Sequence, residues 1–241
     1  NNTKDLTNVI SDSEINLNDY SSDLEIKSGG EYFLTGTLDH SIMIDTNEDV
    51  IITLNNVTIN GQDKAGIAAV NAKSLTIKLN DNTANFITDN GSSDYDAAIY
   101  SNSPLIIEGS GSLNVKGNQT NGEGIATETN DMTISGGNIV INAADDGLNA
   151  GGDGGLITIN DGSLYINAGG DGIDSDQKAT INGGAIFVMG SSTGGVGGID
   201  TDEGYTINGG TIVALGSDML EVPETTSTQN KKRLPDHAPY V

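Results

Sequence analysis

The sequence predicts an all-β protein: a single-stranded right-handed parallel β-helix, or solenoid, of about eight coils. Three observations carry that prediction. One eleven-residue pattern recurs four times without gaps, a second short block recurs between the copies, and no stretch shows the 3.6-residue periodicity of a helix.

Taken along the chain, residues 1–20 are polar and are expected to form an N-terminal cap or linker. The solenoid is expected over 21–219. A weak repeat runs from Leu24 through "SGGEYFLTG", and degenerate ones begin near Ile52, Thr76 and Ile106. The four clear copies are "TISGGNIVINA" from Thr133, "TINDGSLYINA" from Thr158, "TINGGAIFVMG" from Thr180 and "TINGGTIVALG" from Thr206, with starts 25, 22 and 26 residues apart. Between them stand "AGIAAV", "AAIYSN", "EGIATE", "DGLNAG", "DGIDSD" and "GGIDTD". Each repeat therefore offers three short β-type stretches divided by Gly, Asn and Asp turns, which is one coil of a β-helix. Strand twist favours a right-handed connection. In such a coil inward side chains stack on their equivalents, so Ile134, Ile159, Ile181 and Ile207 should form one core ladder, and Ile139, Leu164, Ile186 and Ile212 another. Beyond Leu220 the repeat is lost and three of the four prolines gather, so 220–241 is expected to be a tail or a cover for the open end of the sheet.

Composition limits the function. The chain has 241 residues, no cysteine, and 34 Asp/Glu against 10 Lys/Arg, a formal charge of -24. That charge repels phosphate backbones and anionic lipid surfaces, so nucleic acid is excluded as a direct partner. No stretch approaches the apolar length of a membrane span, and Asn1 is not followed by a signal-peptide pattern. High charge with few aromatic residues also describes disordered chains. The in-register apolar residues decide for a fold whose core is a narrow aliphatic column.

Placed in register, the second block stacks acid on acid. Successive coils read Glu123, Asp146, Asp171, Gly197 two positions before the apolar residue, then Ala126, Asn149, Asp174, Asp200 just after it, and Glu128, Gly151, Asp176, Asp202 two further on. Equivalent positions in adjacent coils lie about 4.8 Å apart, and two carboxylates at that distance repel by about 0.9 kcal/mol in bulk water and more at a partly buried surface. Protonation or a bound cation relieves such a column. Hard oxygen donors without Cys or paired His point to Ca²⁺, with ligands expected among Asp146, Asn149, Asp171, Asp174, Asp176, Asp200 and Asp202. Asp-Gly and Asn-Gly are also good turn formers, which leaves a purely structural reason for the same residues. "GGDGIDSDQ" begins like the nonapeptide of calcium-binding toxin repeats, but Asp176 stands where that motif needs a large apolar residue, and the repeat here is about 25 residues rather than nine.

The ordered run "TISGG…DDGLNAG…GDGIDS…GGIDTDEGYTINGGTIVALG" from Thr133 to Gly216, and more loosely the chain from about Leu24, resembles a bacterial family of extracellular carbohydrate-binding domain proteins with a pectate-lyase-like β-helix. The resemblance implies a secreted or surface-anchored protein that binds plant cell-wall polysaccharide, cellulose and acidic sugars such as polygalacturonate, with bound Ca²⁺ and no catalysis. It adds Asp145 to Asp146, Asn149, Asp171, Asp174, Asp200 and Asp202 as the residues matching the family's acidic blocks.

The residues themselves offer little to an enzyme. A pectate lyase joins Ca²⁺ to a strong base, usually Arg, and the one arginine is Arg233 in the tail. Lys116 and Lys178 would need desolvation to serve and read as solubilising surface residues. The Gly-His-Gly and Arg-Ile-Lys elements of β-helix polygalacturonases are absent, so Asp145-Asp146 resembles their paired acids in type only. For binding, Ca²⁺ with an unfilled ligand position would bridge a protein carboxylate to a sugar carboxylate despite the charge of -24. Neutral glucans instead need an apolar or extended polar surface. Val140, Tyr165, Phe187 and Val213 form a predicted outward strip in which Tyr165 and Phe187 are the ligand-binding candidates, unless the tail or a partner chain covers it. A calcium-stiffened surface adhesin or structural stalk and a pectate-lyase-like enzyme are the competing functions.

Overall fold

A computed structural model describes residues 14–90, 95–118, 122–193, 196–217, 224 and 227. Every strand pair in it is parallel, and the strands form two sheets of thirteen and eight. The larger sheet is bent into two limbs joined within the long strands Asp49–Asn60, Met132–Ala143 and Ile157–Ala168. The result is a parallel β-helix with three sheet faces in cross-section, the two limbs counting as the first and second and the separate eight-stranded sheet as the third. The third sheet stacks eight strands, so the chain makes seven rung-to-rung steps, or about seven turns, against the eight coils expected.

Why these residues build this shape is visible in the ladders. Ile134, Ile159, Ile181 and Ile207 are paired in register along the first limb, and Ile139, Leu164, Ile186 and Ile212 along the second. The inward members are buried, apart from Ile207 and Ile212, which are only partly so because they belong to the last coil described. Alternation sends the neighbours outward. On the first limb this makes a threonine column, Thr133, Thr158, Thr180 and Thr206, beside an asparagine ladder in which Asn182 donates to Asn160 and Asn208 to Asn182, each at 2.9 Å.

Several buried positions are polar, Asn85, Ser101, Thr127 and Ser175 among them. Asn85 occupies the inward column of the second limb, paired with Leu113, and is wholly buried. Its Oδ1 accepts the Val57 N–H at 3.0 Å, and its Nδ2 donates to Thr83 Oγ1 at 3.1 Å and to the Ser112 carbonyl at 3.0 Å. Asn56, beside Val57, has φ 55°, so the limb turns there and Asn85 supplies the partners that the turn removes. Asn85→Leu leaves a buried donor and a buried acceptor unmatched and is expected to cost about 2 kcal/mol. A melting temperature lower by roughly 4–8 °C checks this.

The third sheet meets the second limb through glycines. A Cβ on Gly147 would stand 2.2 Å from Ile166 Cγ2 and 2.5 Å from the Gly172 carbonyl; one on Gly172, 2.1 Å from Val188 Cγ2 and 2.6 Å from the Gly198 carbonyl; one on Gly124, 2.3 Å from Ile141 Cγ2. None of these three has a positive φ. They are glycine because there is no room, not because a turn needs them.

Within the segment 1–20, Glu14–Asn16 pairs with Gly30–Leu38 as the first strand of the large sheet, and Leu17 in the following 3-10 turn is fully buried, so this part caps the helix. Of 220–241 only Glu224 and Ser227 are described. Glu224 donates its N–H to the Tyr205 carbonyl at 2.8 Å, meets Lys178 Nζ at 2.9 Å and accepts from Thr206 Oγ1 at 3.1 Å, while Ser227 Oγ accepts the Ile207 N–H at 2.9 Å. These two residues therefore lie along the edge strand Tyr205–Ile207 of the first limb. Glu224→Ala is expected to remove about 1 kcal/mol of this closure, read as faster amide exchange at Ile207 than at Ile159.

Candidate functional site

The acidic columns lie on the third face, in register as expected. Ala126 pairs with Asn149, Asn149 with Asp174, and Asp174 with Asp200. At the corner before each strand the carboxylates take the backbone of the next coil: Asp146 Oδ1 accepts the Asp171 N–H at 2.6 Å, and Asp171 Oδ1 accepts the Gly197 N–H. Asn149 Nδ2 lies between the two columns, 3.2 Å from Asp146 Oδ2 and 3.5 Å from Asp174 Oδ2. Asp146, Asn149, Asp171 and Asp174 thus form one cluster, with Asp200 exposed at its C-terminal end and holding the Thr201 N–H at 2.9 Å.

The other expected residues sit apart from that cluster. Asp176 Oδ2 accepts the Gly152 N–H at 2.6 Å at the opposite corner of the strand, with Asp202 one coil on and exposed. Asp145 precedes Asp146 and acts on the cluster through its charge. Among the described residues, no three His, Asp or Glu side chains converge closely enough to hold an ion as they stand.

Electrostatics marks the centre of the cluster. Burial, and then the charges of Asp146, Asp171, Asp176 and Asp200, push the Asp174 carboxyl up to about 7. Burial raises Asp146 to about 6, against the opposing pull of the Asp171 N–H, and burial also raises Asp171. Sequence reasoning missed the most perturbed member. Glu123 is raised to about 9, first by burial and then by Asp96, Asp146, Asp145 and Glu128. Its position at the head of the Asp146 column was the available signal. Asp96, which directly precedes the strand Ala97–Ser101 and whose carbonyl accepts the Glu123 N–H at 2.7 Å, adds its charge from the coil before.

Toward the N-terminus the same outward column turns apolar: Met43, Ala68, Tyr100 and Ala126. Tyr100 is buried, its ring 5.0 Å from that of Tyr95, and its hydroxyl lies 3.3 Å from Glu128 Oε2. Burial, followed by Glu128, pushes this hydroxyl up to about 12. The third face therefore grades from alanine and tyrosine to uncompensated acid.

The predicted outward strip is also present, on the second limb. Val140 pairs with Tyr165, Tyr165 with Phe187 and Phe187 with Val213. The Tyr165 and Phe187 rings stack with centroids 5.4 Å apart and planes 7° from parallel, and Tyr165 and Val213 are 43% and 41% exposed. Beside them a shallow hollow of about 350 Å³ is lined by residues including Asn167, Met189, Ser191 and Leu215.

The donors of the acidic cluster suit a hard divalent cation: carboxylate and amide oxygens, several with one oxygen uncommitted, and charges that no lysine offsets among the described ion pairs. Lys178 is engaged by Glu224, and Arg233 lies outside the described residues.

Comparison with known proteins agrees with the fold. The family described as carbohydrate-binding domain-containing protein matches residues 20–233. A curated relative of the same description from Acetivibrio thermocellus is 31% identical over 132 residues, 50% of this chain and 45% of the relative, so the chain spans less than half of that relative's length. Among solved structures, the polysaccharide lyase-like protein from C. thermocellum, a gadolinium derivative, superimposes with a TM-score of 0.64 at 27% identity, covering 82% of this chain and 90% of that one.

Proposed function

The chain belongs to the family of carbohydrate-binding domain-containing proteins, and from that premise we propose that it binds plant cell-wall polysaccharide outside the cell without cleaving it. Calcium on the third face would engage acidic, polygalacturonate-type sugars, and cellulose is a further ligand. The observation that carries the calcium reading is the register of Asp146, Asn149, Asp171 and Asp174, four oxygen-bearing side chains on adjacent rungs. These residues would hold the ion, with Asp200 at the open end. When bound, Ca²⁺ supplies positive charge and a ligand position for a uronate carboxylate.

The chain's own residues account for selectivity. Without a cation the carboxylates repel any uronate, so affinity for acidic sugar is expected to be conditional. The close fit of Gly147 and Gly172 against Ile166 and Val188 fixes the rung spacing at which the carboxylates stand. Catalysis is disfavoured by the absence of a strong base near Asp174 among the described residues.

Depletion binding to polygalacturonate tests the proposal. Saturable binding in millimolar CaCl₂ is expected to weaken at least tenfold in EDTA. Binding retained in EDTA would defeat the bridging mechanism, and release of an unsaturated, ultraviolet-absorbing product would defeat the non-catalytic part.

A further inference from the structure

The second limb carries a surface unlike the rest of the molecule. The strands Met132–Ala143, Ile157–Ala168, Ala185–Met189 and Thr211–Leu215 present twelve outward positions between Asn138 and Leu215, three on each strand, and none is charged. A soluble protein's surface ordinarily carries about a quarter to a third charged residues, and this chain has a net charge of -24. Charge is absent from these twelve positions, and the nearest in the same columns is Lys116, paired with Asn142 one rung earlier.

Its pattern has three tracks along the helix axis. Val140, Tyr165, Phe187 and Val213 form a central apolar ridge, stiffened by the stacked rings. On one side run Asn138, Ser163 and Thr211; on the other, Asn142 and Asn167, with Asn167 Nδ2 3.4 Å from Asn142 Oδ1, lead into the hollow beside Met189. Three rung steps and three alternate residues give a plate of about 14 Å by 13 Å. Glu224 and Ser227 lie on the first limb, against Tyr205 and Ile207.

We propose that this plate is a second binding surface, independent of calcium, for an uncharged polysaccharide of the β-glucan type. It rests on the reading of the chain as a polysaccharide binder and assigns the neutral ligand to a different face from the acidic one. A hexopyranose chain is apolar on its C–H faces and hydroxylated at its rims, which matches an apolar ridge flanked by amides and hydroxyls. Charge selects this occupant. A second copy of the chain brings another -24 and is repelled, a uronate polymer is repelled for the same reason, and a cationic partner would prefer the acidic face.

The test is depletion binding to microcrystalline cellulose in EDTA, with polygalacturonate in CaCl₂ measured in parallel. Wild type is expected to bind cellulose in chelator, and Tyr165→Ser with Phe187→Ser to lose at least tenfold, with polygalacturonate binding unchanged. Should that pair disturb folding by circular dichroism, Asn138→Asp with Ala185→Asp places two acids at exposed positions two rungs apart and is expected to give the same loss. Cellulose binding that both variants retain, or that wild type shows only with calcium, overturns the proposal. So does a wild-type dimer in sedimentation that either variant abolishes. Absence of cellulose binding with polygalacturonate binding intact defeats this inference alone, whereas absence of both defeats the reading it rests on.

Discussion

In chelator, the melting temperature is expected to fall as pH is raised from about 4 to about 9, and calcium added near pH 7.5 is expected to restore it. The sign follows from which state holds protons more tightly. Asp174, Asp146 and Glu123 have folded values of about 7, 6 and 9, all above those of the unfolded chain. Their contribution is therefore complete below the unfolded values near 4, and it is lost as pH rises through the folded ones. For Asp174 the displacement amounts to about 2 kcal/mol once partial solvent access is allowed for, or roughly 4–8 °C. Asp174→Asn removes a charge from the centre of four others while keeping the shape. It is expected to raise the melting temperature in EDTA at pH 7.5 and to blunt the response to calcium. If Asp174→Asn melts lower in EDTA and responds to calcium like wild type, Asp174 is neither strained nor a ligand.

Gly147→Ala is expected to destabilise the protein by about 3 kcal/mol, although it adds one methyl group. The new carbon would meet Ile166 Cγ2 at 2.2 Å and the Gly172 carbonyl at 2.5 Å. The isoleucine can shift at some cost, but the carbonyl is held in place because it accepts the Leu148 N–H at 3.1 Å. Overpacking of this kind separates two rungs. Thermal denaturation would show a fall of about 6–12 °C, whereas Gly162→Ala tests a different property, since Gly162 is held at φ 118°.

The comparison of sequence with structure turns on the Asp-Gly pairs. Their recurrence identifies the rungs, and the registers of Ile173, Asp174 and Ser175 follow from aligning the blocks, because a solenoid makes spatial neighbours of residues at one repeat length. What an Asp-Gly pair does is less legible. Read singly it is a turn; in place, the glycine clears space for a neighbouring side chain and the carboxylate ties down the next rung through its N–H. Asp176 and Asp202 share the acidic register yet stand apart from the cluster, because alternate residues beyond the end of a short strand follow the corner rather than the sheet. Glu123 draws its perturbation from the coils on both sides, Asp96 before it and Asp145 and Asp146 after it, and Asp96 stands just ahead of the aligned block rather than in it.

The ladder of identical rungs has a consequence for how such a surface can be enlarged. Each coil touches only the coils on either side, so a further repeat of about 25 residues would lengthen every face by one step of about 4.8 Å and leave all existing contacts as they are. Reach along a polymer, and with it the number of sugar units held at once, is then a matter of counting rungs. The chemistry of each face is set by separate side chains and can change independently of that length.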